Sequence, residues 1–240
     1  MKVIIVEDYE QMSKKAGEIV LDVVKKNPSA VLGFATGTSP IGLYDYLVQA
    51  NKNGEVSFAN VKTVNLDEYA GITATNENSY AYFMKKHLFD RIDIDNKNTN
   101  LPNGIAEDRQ VECDRYNALL DQMQQDIQVL GIGSNGHIGF NEPGTSFNST
   151  THIVDLTEST IKDNSRLFDD VSQVPLQAFS MGIKNIMNAK QIVLVASGKN
   201  KAQAVKGLIK GEITEELPAS ILQLHPFVTI VIDKDAASLL

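Results

Sequence analysis

Short runs of β-branched and aliphatic residues recur along the chain, separated by stretches in which apolar residues return every three or four positions. The runs at residues 2–6, 30–35, 61–66, 127–131, 192–197 and 228–232 predict strands buried on both faces. Between them, residues 9–26, 40–51, 79–89, 107–125 and 199–210 carry the spacing of helices packed on one face. Strands alternating with helices predict an α/β fold, a mostly parallel, doubly wound sheet in which ligands meet the C-terminal ends of the strands. No repeat, low-complexity tract or Pro/Ser linker marks a boundary, so residues 1–240 are read as one domain. The least regular stretch, 144–181, is read as an insertion or a mobile lid.

Composition narrows this picture. A length of 240 residues suffices to bury a core, and a net charge of -8 argues against a nucleic-acid partner, which is bound through clustered Lys and Arg. The first residues lack the apolar core of a signal peptide, and no apolar run approaches the length of a membrane span, so a cytoplasmic protein is expected. The single cysteine, Cys113, lies in VECDRYN and reads as a helix side chain. His87 and His225 make no metal constellation with His137, and neither a metal nor an organic cofactor is expected.

Four clusters fall at predicted strand ends. In the first, Thr36-Gly37-Thr38-Ser39-Pro40, Ser39 suits the N-cap of the following helix and Pro40 its first position. Free N–H groups and the helix dipole would then converge on Gly37, Thr38 and Ser39, an anion site in outline, although a plain capped turn has the same composition. In the second, Asn65-Leu66-Asp67-Glu68-Tyr69, adjacent carboxylates at a strand end raise one another's pKa, bind a cation or supply a general base. Solvated loop acids, or the cap of a short helix, are the alternatives.

The third cluster, residues 131–144, formally contains G-x-G-x-x-G, with Asp155 standing 19 residues after Gly136 as a ribose-binding acid would. Gly139, Pro143 and Gly144 interrupt the helix that a dinucleotide site requires, which leaves a Gly-rich loop holding one histidine. His137 follows Gly136, so backbone and imidazole can both approach a ligand, and Glu142 is placed to hold the ring in one tautomer. The fourth cluster, 197–201, sets Lys201 in the first turn of a helix, where a cation opposes the dipole unless an anion is bound. Arg166 is a second candidate cation, although a surface arginine is the simpler reading of its neighbourhood.

Taken together, Thr36-Gly37 before Ser39-Pro40, then LDEY at 66–69, then GHIGFNEP at 136–143 resemble the glucosamine-6-phosphate deaminases in order and spacing. The resemblance runs from the first strand to about Asp233 and takes in Asn164-Ser165-Arg166 and LQLHP at 222–226. It implies a single Rossmann-like domain and conversion of glucosamine 6-phosphate and water to fructose 6-phosphate and ammonia. It also implies roles: Asp67 as the base moving a proton between C2 and C1, and His137 as the ring-opening group with Glu142 holding it. Gly37, Thr38, Ser39, Glu68, Gly136, Arg166 and Lys201 would contact substrate.

The chain departs from the family pattern at three places. Asn135 stands where many members have Asp, and an amide can contribute only hydrogen bonds. The phosphate loop reads TGTSP rather than TGGTP, so Thr38 should not need positive φ. His152 and Val154 replace basic residues of the regulated members, so activation by N-acetylglucosamine 6-phosphate is not expected. The rival readings are a 6-phosphogluconolactonase-type hydrolase, whose loop resembles 131–137 but continues differently after the histidine, and a non-catalytic sugar-phosphate sensor. Oligomeric state is left open.

Overall fold

The computed structural model describes residues 1–156 and 174–240. Ten strands are numbered in chain order: β1 (Lys2–Val6), β2 (Val31–Phe34), β3 (Lys62–Asn65), β4 (Asp67–Ala70), β5 (Thr99–Asn100), β6 (Ile127–Leu130), β7 (His152–Asp155), β8 (Gln177–Ser180), β9 (Ile192–Ala196) and β10 (Val228–Asp233). The helices are α1 (Tyr9–Lys26), α2 (Ile41–Lys52), α3 (Tyr80–His87), α4 (Arg109–Gln122), α5 (Ile183–Met187) and α6 (Ala202–Lys210). All six predicted strands and all five predicted helices are present, with ends that move by at most three residues.

Seven strands form a parallel sheet in the order β1-β10-β9-β6-β2-β3-β5. Side chains alternate across it. On β9, Val193 and Val195 join the layer under α1, α2 and α3, whereas Ile192 and Leu194 join the layer under α4, α5 and α6. Each such fully buried aliphatic side chain contributes about 1.5–3 kcal/mol relative to leaving it in water, and both faces are covered, as a parallel sheet requires. The direction of winding reverses between β2 and β6, so the loops leaving these two strands diverge and open a crevice at the C-terminal edge.

A second, three-stranded antiparallel sheet, β4-β8-β7, was not predicted from the sequence. It starts where the chain leaves β3: Leu66 N–H donates to Phe34 C=O at 3.0 Å, and Leu66 C=O accepts from Met181 N–H at 2.6 Å. Asp67 is thereby the first residue of β4, paired with Ser180 on β8, and not part of a loop. Two of the small sheet's strands, β7 and β8, lie inside the stretch read as a lid, so the described parts of 144–181 include paired sheet. The remainder, 157–173, lies outside the described residues, and Arg166 with it.

Among the described residues no helix is long and apolar enough to cross a membrane. Cys113 is buried on α4, and burial pushes its thiol up to about 11, which fits its reading as a packed side chain.

Tyr116 of α4 ties the end of β3 to the helix layer. Its buried hydroxyl accepts from Asn65 N–H at 3.0 Å and donates to Asn65 C=O at 2.6 Å. Tyr116→Phe leaves both backbone groups unpaired without creating a cavity. Urea denaturation should therefore show a loss of about 1–3 kcal/mol.

Candidate active site

A cleft of about 350 Å³ opens at the point where the sheet reverses direction. The loop after β2 (Ala35 to Ser39), the loop after β6 (Gly131 to Ser134, with His137, Gly139 and Phe140), Leu66, Asp67, Tyr80 and Lys201 line it. Of the residues singled out from the sequence, Gly37, Thr38, Ser39, Asp67, His137 and Lys201 therefore meet in one place.

The loop after β2 offers donors. Gly37 turns the chain at φ 90°, and among the described residues the N–H groups of Gly37, Thr38 and Ser39 donate to no protein acceptor. Thr38 needs no positive φ, as expected. Ser39, however, does not cap α2: Pro40 occupies the N-cap, and no side chain caps the helix. The Tyr9 hydroxyl on α1 instead fastens the loop, donating to Thr38 C=O at 3.0 Å and accepting from Gly42 N–H at 2.9 Å. Lys201 completes this end of the cleft as its ammonium-bearing residue, and burial lowers its pKa.

Strand geometry separates the two acids. Asp67 faces the cleft, 6% exposed, with Oδ1 buried and unpaired, and burial together with the neighbouring Glu68 pushes its pKa up to about 8. Glu68 does not line the cleft, although the resemblance implies that it contacts substrate. Its carboxyl accepts from Tyr80 N–H (2.9 Å), Ala81 N–H (2.8 Å) and its own neighbour Tyr69 N–H (2.8 Å). Burial pushes Glu68 up to about 7, and these three bonds restrain the rise. Glu68 is a strand residue and not the N-cap of a helix: Ser79 caps the helix that begins at Tyr80 by accepting from Tyr82 N–H, and the Glu68 carboxyl reaches that helix's first N–H groups from the neighbouring strand. Tyr80, not anticipated from the sequence, reaches the cleft through this anchorage and donates its hydroxyl to Tyr69 at 3.2 Å.

The loop after β6 contains no helix, in keeping with the rejection of a dinucleotide motif. The His137 ring stands against Gly133, where an added Cβ would come within 2.5 Å of it; this glycine is the seat of the imidazole. Glu142 Oε1 lies 3.1 Å from His137 Nδ1, at ion-pair distance but off the line of a straight hydrogen bond. Burial acts to raise the Glu142 pKa, but His137 and the Asn135 amide outweigh it and hold the carboxyl below its ordinary value.

Asn135 does not line the cleft. Its Nδ2 donates to Glu142 Oε2 at 2.6 Å and its Oδ1 accepts from His137 N–H at 3.2 Å, so it fixes the histidine's partner and the loop itself. Gly136 does not line the cleft either: at φ 90° it packs where an added Cβ would stand 2.3 Å from Leu217 Cδ1. The loop then crosses above Asp67, where Phe140 N–H donates to Ser180 Oγ at 3.1 Å and Asn141 Nδ2 to Met181 C=O at 2.9 Å. His225 lies elsewhere, its Nε2 2.8 Å from Ala189 C=O. Among the described residues no group of three His, Cys, Asp or Glu is arranged to hold a metal ion.

Chemically, the cleft combines a desolvated carboxyl, an imidazole held by a carboxylate, a set of free N–H donors and a cation. Such groups can supply a general base, a proton carrier and an anion seat.

Known proteins resemble this chain along its whole length. Residues 7–230 match the family model described as glucosamine-6-phosphate isomerases/6-phosphogluconolactonase. A glucosamine-6-phosphate deaminase of Thermoanaerobacter pseudethanolicus is 53% identical over 241 residues, covering 100% of this chain and 95% of the relative. One from Oceanobacillus iheyensis is 53% identical over 240 residues, covering 98% and 95%. Among solved structures, a monomeric glucosamine-6-phosphate deaminase superposes with a TM-score of 0.97 at 48% identity, covering 100% of both chains.

The electrostatics of Asp67 make a stability prediction. Its native pKa lies near 8 against an ordinary 3.8, so above pH 3.8 the unfolded chain releases a proton that the native chain keeps. The stabilising contribution is whole below the ordinary value and is lost as pH rises through the folded value near 8. Asp67→Asn removes this loss, so at pH 8 the variant should be more stable than the wild type by about 1–3 kcal/mol, with a shallower slope of stability against pH. Thermal unfolding between pH 5 and 9 measures it; equal slopes for the two proteins would refute the assignment.

Proposed function

The chain belongs to the family of glucosamine-6-phosphate isomerases and 6-phosphogluconolactonases, and on that premise we propose that it converts glucosamine 6-phosphate and water to fructose 6-phosphate and ammonia. The observation that carries this reading is the convergence on one cleft of Asp67, buried with an unpaired oxygen, His137, with Glu142 beside its ring, a free-donor loop and Lys201.

In this mechanism the phosphoryl group binds the N–H groups of Gly37, Thr38 and Ser39 and the Lys201 ammonium. His137 takes the proton of the C1 hydroxyl and returns one to the ring oxygen, which opens the pyranose to the aldehyde. Glu142, itself held by Asn135, keeps the imidazole oriented and balances its charge while it carries the proton. Ionised Asp67 then removes the C2 proton, and the electron pair flows to the carbonyl oxygen, which takes a proton from water to give the enaminol. Return of a proton to C1 leaves a C2 imine. Water adds at C2, the C–N bond breaks, and ammonia departs with fructose 6-phosphate. Tyr80 and Phe140, stacked at 6.1 Å between ring centroids, wall the cleft beside Asp67 and keep water from solvating the carboxylate. Arg166 is retained here as a second phosphate ligand. Action in the cytoplasm belongs to the same reading, because a phosphorylated sugar does not cross a membrane unaided.

Purified protein should release ammonia and fructose 6-phosphate from glucosamine 6-phosphate, with kcat lowered by about 10²–10⁴-fold in Asp67→Asn. In the wild type kcat/KM should rise with pH through a midpoint near 8, where Asp67 ionises. Hydrolysis of 6-phosphogluconolactone without ammonia release would replace this reading with the lactonase one.

A further inference from the structure

We propose that Asp233 is a positioning residue that fixes where the Lys201 ammonium stands, and through it sets affinity for the phosphoryl group. The inference rests on the reading of Lys201 as a phosphate ligand.

Asp233 ends β10, beside the end of β9, where Ile232 pairs with Ala196. It does not line the cleft, and its side chain is 6% exposed. The carboxyl accepts from Ser197 Oγ at 2.5 Å, from Gly198 N–H with both oxygens at 3.1 Å, and from Ala236 N–H at 2.8 Å. Two of these three donors belong to the short segment that delivers Lys201 to the cleft. Gly198 adopts φ 92°, a left-handed conformation that favours glycine, and turns the chain into the single 3-10 turn Lys199–Lys201. Lys201 N–H donates back to Gly198 C=O at 3.0 Å. The path from Asp233 to Lys201 is therefore two consecutive hydrogen bonds through one residue.

The loop needs such an anchor. Lys199 and Lys201 stand at the start of α6, where the helix dipole opposes a cation, and no side chain caps that helix. Nothing in this local charge pattern draws the ammonium to its position, so the backbone must hold it there. A carboxylate accepts from hydroxyl and amide donors more strongly than a neutral acceptor does, and a buried one is not replaced by water. An asparagine at 233 would offer one oxygen and an NH2 group to three donors. The Ser197 hydroxyl, which donates to Oδ2, would then have to reverse and accept from the NH2 group, and Gly198 N–H would keep Oδ1 alone, so the segment loses the charged acceptor that holds it.

The test compares KM for glucosamine 6-phosphate, kcat, and inhibition by inorganic phosphate in the wild type, Lys201→Ala, Asp233→Asn, Ser197→Ala and the Asp233→Asn/Lys201→Ala double variant. Lys201→Ala and Asp233→Asn should each raise KM and the phosphate inhibition constant about tenfold, with kcat changed by less than about threefold. Ser197→Ala, which removes a single donor, should raise both about twofold to threefold, and it decides the matter if Asp233→Asn does not fold. The double variant should bind no worse than Lys201→Ala alone, because Asp233 acts through Lys201. Unchanged KM in Asp233→Asn and Ser197→Ala beside a raised KM in Lys201→Ala would overturn the inference and leave the phosphate reading standing. Unchanged binding in Lys201→Ala would overturn both. A fall in kcat alone, or full additivity in the double variant, would show that Asp233 acts by another route.

Discussion

Consecutive side chains on a β-strand point to opposite faces, and this rule divides the labour of two neighbouring acids. Because Asp67 and Glu68 open β4, one carboxyl enters the cleft and the other enters the protein behind it. Glu68 finds three N–H donors and anchors the start of α3, which brings Tyr80 to the cleft wall. Asp67 finds none for Oδ1 and remains desolvated. The anchored acid thus builds the environment that perturbs the free one. The bend at Leu66, pinned between Phe34 and Met181, is what turns an ordinary strand end into this arrangement.

The same logic runs around the cleft. A buried, unpaired carboxyl oxygen and a lysine whose charged form is disfavoured by burial each cost stability, and the three N–H groups beside them donate to no acceptor among the described residues. In the proposed reaction they complement parts of one ligand, a carbon-bound proton at one end and a phosphoryl group at the other. Two aliphatic layers across the parallel sheet offset the cost. The supporting residues Tyr9, Asn135, Ser180 and Asp233 hold the loops without lining the cleft. Catalytic geometry here is mostly a property of loops tied down from behind.

The parallel sheet was legible because its strands are continuous apolar runs flanked by periodic helices, a pattern that survives without knowledge of tertiary contacts. The small sheet was not. DEYA, HIVD and QAFS are four-residue strands of mixed polarity, stabilised by pairing with one another over long separations, and nothing local distinguishes them from loops. That omission explains why Glu68 was expected beside Asp67 in the cleft, since on a loop two adjacent acids can face one way and on a strand they cannot. Ser39 misled for a related reason: a serine before a proline suits a cap by composition, but Pro40 took the position and Tyr9, 29 residues from Thr38, supplied the anchor. His137 and Glu142 were legible because the histidine lies among glycines with its partner five residues along, a local relation. Gly133 carried the missed signal: its value is the volume it leaves for the His137 ring, visible only once the loop has folded.

The account turns on Asp67 being a buried carboxyl that gives up its proton far above the ordinary range. Carbon-13 NMR of the side-chain carboxyl carbons, with Asp67 assigned through the loss of its signal in Asp67→Asn, follows that proton directly. The account predicts a titration midpoint near 8 in the ligand-free protein. A midpoint near the ordinary 3.8 would contradict it, because the carboxylate would then be solvated and the cleft would not be the desolvated site described.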